Sequence, residues 1–311
     1  MNKKHLSPPS ILSFACCVAL GLFGLSADSY AAPFDKADIV YGHVGEQDLQ
    51  LDVYGADAAQ MHPAILFLHG GGWSGGSRAE MASVSTFFSE QGYVCFAVSY
   101  RLVKGDQNRY PAQIDDVQRA VRWIRAHATD YGVDGGRIGA FGGSAGGQLA
   151  ALLGTMETRD NSDGELAKYS SRVQCVVDLY GPSDFLAIPS VKIIDEAQRK
   201  AANRLLEGFL GPLPENSANY VDASPVTHID SKTVPFLIFH GSKDALVPVE
   251  QSEELDVALR KAGMESKLVV FPGLGHAYSD PDALNYTVTA SLKFFDGHLK
   301  KSQKPASAGK R

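Results

Sequence analysis

The chain has 311 residues, of which 44% are apolar and 21% charged, and its formal net charge is −6. That is an ordinary globular composition, and the length suits one large α/β domain. An acidic balance without a lysine- or arginine-rich face lacks the electrostatic footprint of a nucleic-acid binder, so no such partner is expected.

The chain opens on a targeting pattern. Lys3 and Lys4 precede an apolar run over residues 11–25, and Ser29-Tyr30-Ala31 stands as a cleavage triplet. This reads as a signal peptide over residues 1–31, with a mature chain beginning near Ala32 in the periplasm or outside the cell. The run is too short and too rich in small residues for a membrane span. No stable membrane insertion is therefore expected after cleavage; an uncleaved anchor is the alternative. Beyond it stand two cysteines, Cys95 and Cys175, each in an apolar strand pattern. Export would permit a disulfide, but the two strands are well separated in the topology argued below, so buried free thiols are expected.

Residues 38–41 and 48–54 flank a glycine-containing turn, and Leu49, Leu51 and Val53 alternate with polar residues. That predicts an antiparallel edge hairpin with one covered face. Residues 64–68 form a continuous apolar run, the pattern of a strand buried on both faces, and lead into His69-Gly70-Gly71-Gly72-Trp73. Met81, Val84, Phe87 and Phe88 predict a helix over 80–91. A buried strand follows over 93–99. Ile114, Val117, Val121 and Ile124 recur at helical spacing over 111–127. A short apolar strand from Arg137 then enters Gly142-Gly143-Ser144-Ala145-Gly146, and small residues predict a helix over 145–153. Further strands are predicted at 173–180, 235–240 and 267–271, and helices at 194–209, 250–262 and 282–299. Segment 183–234 carries no strand pattern and is the candidate lid, with a Pro/Asn-rich loop after Gly211. The tail 300–311 is basic and polar and reads as disordered. Eight strands alternating with helices make a mostly parallel sheet with helices on both faces, in one domain over residues 32–299.

In such sheets, sites form at the carboxyl ends of the strands, where the reactive residues of this chain stand. Strand, Gly-x-Ser-x-Gly turn and helix give the context of a nucleophile elbow, with Ser144 as the nucleophile. A bare Gly-x-Ser-x-Gly is also an ordinary glycine-rich turn, so the partners decide. Asp244, in His240-Gly241-Ser242-Lys243-Asp244, follows one buried strand, and His276, in Pro272-Gly273-Leu274-Gly275-His276, follows the last. A serine hydroxyl is a poor nucleophile at neutral pH and needs a base. Histidine, with an unperturbed pKa near 6.5, suits that task, and an aspartate would hold its tautomer and stabilise the imidazolium. The amides of Gly71, Gly72 and Ala145 are the candidate donors to an oxyanion. His69 and His240 compete for the base; His69 is better placed to order the glycine loop, and His240 precedes the acid too closely. Asp184 is the rival acid, with helix capping as its other role. Trp73 is either core or pocket wall, and Tyr278 either lines the leaving-group side or packs.

Together, the His69–Trp73 run, Gly142-Gly143-Ser144-Ala145-Gly146-Gly147 and the loops of Asp244 and His276 resemble the α/β-hydrolase esterases. The nearest groups are bacterial carboxylesterases related to hormone-sensitive lipase and the acetyl-xylan and feruloyl esterase-like hydrolases. The resemblance spans about residues 39–299. It implies the α/β-hydrolase fold and serine-dependent hydrolysis of a small-molecule or saccharide ester, without metal or cofactor. Two departures stand out. Lipase-like relatives carry Asp before the nucleophile and an N-terminal helical cap. Here Gly143 precedes Ser144, and the first strand follows closely on the expected mature terminus. The expectation is a shallow site for short acyl groups, walled by Trp73 and segment 183–234. A carbohydrate acetyl or feruloyl esterase is a narrower version of it. A serine peptidase of this fold would bring a propeller domain that does not fit in the chain. A non-catalytic binding module would have lost the nucleophile.

Overall fold

The structure is a computed structural model and describes residues 35–188 and 196–300. The signal-peptide reading at 1–31 and the tail reading beyond Lys300 lie outside these residues. Eight strands form one sheet: β1 (Lys36–Val44), β2 (Gln47–Tyr54), β3 (His62–Leu68), β4 (Val94–Val98), β5 (Val133–Gly143), β6 (Cys175–Leu179), β7 (Phe236–Gly241) and β8 (Ser266–Phe271). Their order is β1-β2-β4-β3-β5-β6-β7-β8. The first two strands are antiparallel, β2 joins β4 antiparallel, and the rest pair in parallel. This is the α/β-hydrolase architecture that the sequence implied.

The period-two geometry of each strand divides the core into two layers. On β3, Leu66 and Leu68 enter one layer, with Ile114 and Val117 of α2 (Ala112–Ala126), Leu149 and Leu152 of α3 (Ala145–Thr155) and Leu255 of α6 (Glu250–Lys261). Ile65 and Phe67 enter the other, with Phe88 of α1 (Ala82–Glu90) and Leu284, Val288 and Phe295 of α7 (Pro281–Leu299). Strands buried on both faces have no polar side to show, which is why their sequences run apolar without alternation.

Strand order also fixes where a site can form. From β3 the chain crosses to β4 on one side; from β4 it returns past β3 to β5 on the other. The crevice between the carboxyl ends of β3 and β5 is therefore the topological switch point, where neighbouring connections part and leave space. The glycine run after Leu68 and the elbow after Gly143 face this crevice from its two sides.

Segment 183–234 differs in part from its expected form. It holds α4 (Glu196–Leu210), as the spacing predicts, but the expected loop after Gly211 contains α5 (Ser217–Asp222) and a 3-10 turn (Pro225–His228). Tertiary contacts supply what local propensity does not: Tyr220 and Ala223 are buried, Tyr220 donates to the Gly211 carbonyl and Asn219 to that of Leu210. Cys95 on β4 and Cys175 on β6 are buried free thiols. Two strands lie between them, so three interstrand spacings of about 4.8 Å separate the cysteines, beyond disulfide reach.

Candidate active site

Ser144 sits between β5 and α3 at φ 56° and ψ −120°. Two glycines make that turn possible. A Cβ on Gly142 would stand 2.1 Å from the Gly146 carbonyl oxygen, and one on Gly146 would stand 2.2 Å from that of Leu68. Strand, helix and the neighbouring β3 thus touch through bare backbone. The amide of Ser144 donates to the Leu179 carbonyl at 2.8 Å, which ties the elbow to β6.

The structure brings the three residues singled out by the sequence into one hydrogen-bonded run. His276, in the loop after β8, has Nε2 2.9 Å from Ser144 Oγ and Nδ1 2.6 Å from Asp244 Oδ2. Asp244 follows β7, and its side chain is fully buried. Its Oδ1 accepts the amides of Leu246 and Val247 at 2.9 and 2.8 Å. Burial by itself would push this carboxyl up, but hydrogen bonds from His240 and His276 and their charge outweigh it and hold the pKa down at about 2. Asp184 stands apart: its Oδ1 caps the turn that follows through the amides of Leu186 and Ala187.

The glycine loop crosses directly over the elbow, and a Cβ on Gly70 would stand 3.6 Å from that of Ser144. Gly71 and Gly72 have φ of 104° and 56°. Among the described residues, none accepts a hydrogen bond from the amides of Gly71, Gly72 or Ala145. His69 holds the loop from beneath. Its Nδ1 donates to the Gly70 carbonyl at 2.7 Å, its ring stacks on Tyr100 at 4.2 Å, and the Tyr100 hydroxyl donates to its carbonyl. Burial lowers its pKa to about 4, outweighing the hydrogen bond to Gly70, so at neutral pH the ring is uncharged with its proton on Nδ1.

Of the two residues proposed from sequence as pocket walls, the structure places Trp73 in the core. It is buried, stacks on Phe209 of α4 at 4.0 Å, and donates from Nε1 to Gln148 Oε1 at 3.0 Å. Tyr278 lines an apolar cavity of about 30 Å³ that lies beside Gly70 and Gly143. Met81 and Val84 on the α1 side and Leu284 and Val288 of α7 close this cavity.

Three contributors escaped the sequence. Tyr180, just past β6, has φ 45°, and its ring packs edge-on 4.7 Å from that of His276. Its position after a buried strand was visible; its contact was not. Gln148, fully buried on α3, accepts from Trp73 and donates to the Ala223 carbonyl at 2.7 Å. His240, set aside as a base, touches the acid directly, 3.2 Å from Nε2 to Asp244 Oδ2.

Known proteins share this arrangement of chain. A probable carboxylic ester hydrolase, LipM, from Mycobacterium tuberculosis is 32% identical over 248 residues, which are 78% of this chain and 56% of LipM. The chain thus spans less than two thirds of that relative's length. Among solved structures, esterase Est2 from Thermogutta terrifontis, described with butyrate bound, is 29% identical with a TM-score of 0.72, covering 86% of this chain and 96% of its own. The same esterase is also described as phosphorylated by paraoxon. An acetyl ester-xyloside bifunctional hydrolase from Caldicellulosiruptor lactoaceticus is 26% identical with a TM-score of 0.72, covering 86% of this chain and 98% of its own. Residues 51–259, well over half of the chain, match the sequence model of the BD-FAE family, and the chain therefore belongs to that family of α/β-hydrolase-fold serine esterases.

Proposed function

We propose that this chain is an exported carboxylesterase that cleaves short-chain acyl esters through an acyl-enzyme on Ser144. The observation that carries the reading is the unbroken run from Ser144 Oγ through His276 to Asp244, at 2.9 and 2.6 Å. His276 Nε2 takes the hydroxyl proton as Oγ bonds to the acyl carbon. Asp244, ionised, fixes the ring with its proton on Nδ1 and stabilises the imidazolium. The carbonyl oxygen becomes an oxyanion and is met by the amides of Gly71, Gly72 and Ala145, a contribution worth about 10²–10³ in rate per donor. His276 then protonates the departing alcohol as its bond to carbon breaks. Water, deprotonated by the same ring, attacks the acyl-enzyme and releases the acid. Nucleophile, base and oxyanion donors all come from the chain, so the reaction as proposed uses no metal or cofactor.

Two observations support the short acyl group. The cavity beside the elbow, at about 30 Å³, has room for one or two water-sized groups, and the neighbour Est2 is described with butyrate bound. The acetyl ester-xyloside neighbour favours a second reading, deacetylation of a saccharide. A p-nitrophenyl ester series from acetyl to dodecanoyl, run beside acetylated xylo-oligosaccharides, separates the two. The proposal expects kcat/KM to peak between acetyl and butyryl. A maximum at octanoyl or beyond contradicts the short-chain reading, and a strong preference for the acetylated saccharide selects the second. Absence of hydrolysis on every ester rejects the activity. Export rests on Lys3, Lys4 and the apolar run after them. N-terminal sequencing of the exported chain should begin near Ala32, and a product retaining Met1 contradicts it.

A further inference from the structure

His240 ends a buried strand beside the acid, and the reaction above does not use it. Its side chain is fully buried. Nε2 lies 2.8 Å from the Val247 carbonyl oxygen and 3.2 Å from Asp244 Oδ2. A carbonyl and an ionised carboxylate only accept, so the nitrogen between them carries the proton. Nδ1 lies 2.7 Å from Ser252 Oγ, a hydroxyl that pairs with the ring on that side. The ring is held at both ends with a proton on Nε2.

Oδ2 of Asp244 is also the oxygen that accepts from His276 Nδ1. One carboxylate oxygen thus faces two imidazole N–H donors, while Oδ1 takes two backbone amides. We infer that His240 is a positioning residue that sets the basicity of His276, by holding Asp244 Oδ2 in line with His276 Nδ1 and drawing off part of its charge. The inference rests on the reading of His276 as the base. Without this donor, Oδ2 would carry more of the negative charge and bind the His276 imidazolium more strongly, so His276 would hold its proton to higher pH. The other groups facing this pair are Asp178 on β6, which accepts from the Gly181 amide at 3.0 Å, Tyr180, whose ring lies 4.7 Å from His276 and 6.4 Å from His240, and Tyr278 beyond His276. Helix α6 faces His240 with Ser252. None of these groups is substituted in the variants below.

The test compares His240→Gln with His240→Asn in the full chain. A glutamine amide reaches the Nε2 position and keeps an N–H on Oδ2. Asparagine reaches only the Nδ1 position and leaves Oδ2 without it. kcat/KM is measured against pH with a soluble acetyl ester. The acid limb of His240→Asn should move up by about half a unit or more, while that of His240→Gln stays with the wild type. A purely structural role would lower activity in both and leave both limbs in place, and that result overturns the inference. If neither variant folds, ring ¹⁵N NMR of the wild type at pH 8 decides: His240 should carry its proton on Nε2, and an Nδ1–H tautomer overturns the inference. A wild type without any acid limb defeats the reading of His276 as base. A wild-type limb shared by His240→Asn defeats this inference alone.

Discussion

Six described non-glycine residues have positive φ, and four of them, Trp73, Ser144, Tyr180 and Ala277, stand in connections that leave the carboxyl ends of strands. Each lies within six residues of the carboxyl end of a strand. Such conformations cost about 1–3 kcal/mol each and persist only where packing over-determines them, which the buried strands provide. Ser144→Ala should therefore fold normally and lose esterase activity by several orders of magnitude, leaving at most about 10³–10⁴ over water; a folded mutant with near-wild-type turnover would contradict the nucleophile assignment. Asp244→Asn should cost kcat heavily and Asp184→Asn little, since Asp184 only caps a turn; the reverse pattern would move the acid. Asp244 also leaves a mark on stability. Its folded pKa of about 2 lies below the ordinary value of about 3.9. Its contribution is present above the ordinary value and is lost as pH falls from about 4 to 2. Acid titrations of stability should show Asp244→Asn losing less than the wild type across that window; parallel curves would contradict the hydrogen-bond scheme. Ser144, Asp244 and His276 were legible because each sits in a turn after an apolar run. The partners His240, Tyr180 and Gln148 were not, because each acts through a contact distant in sequence.

At the level of elements, α4 and the glycine loop form one unit. Trp73 stacks on Phe209, Gln148 bridges Trp73 to Ala223, and a Cβ on Gly72 would stand 2.8 Å from Leu205 Cδ1. Through Leu205, Phe209 and Ala223, segment 183–234 thus props the glycine loop where the sequence suggested a lid. Trp73 read as a wall because its position after three glycines was visible and its partner, far along the chain on α4, was not. Gly72→Ala should lower kcat by about 10²–10³ with a smaller change in KM, because the new methyl meets Leu205 and strains a residue at φ 56°. An unchanged kcat would remove Gly72 from the oxyanion site. On the far side, Leu284→Ala opens the cavity between α1 and α7 at a stability cost of about 2–5 kcal/mol. The acyl optimum should lengthen in the ester series; an unaltered optimum would place the acyl group elsewhere.

For the whole molecule, continuous apolar strands separated by helices announced a parallel sheet, and the antiparallel hairpin at one edge followed from its alternation. Pairing order was not written in those patterns; it follows from β3 lying between β4 and β5, and that creates the crevice at their carboxyl ends. The same order keeps Cys95 and Cys175 apart, and burial pushes both thiols up. Alkylation of the native chain should leave both unmodified, and peptide mapping should find them labelled only after unfolding; labelling of either in the native state would contradict the packing of β4 or β6. The central claim, that Ser144 is the nucleophile activated by His276, is tested most directly by covalent capture. The chain is treated with paraoxon, and the modified peptide is identified by mass spectrometry while residual esterase activity is followed. One phosphoryl group should appear on Ser144 in step with the loss of activity, and His276→Ala should slow its appearance by orders of magnitude. Inactivation with the label on another residue, or equal labelling without His276, would contradict the account.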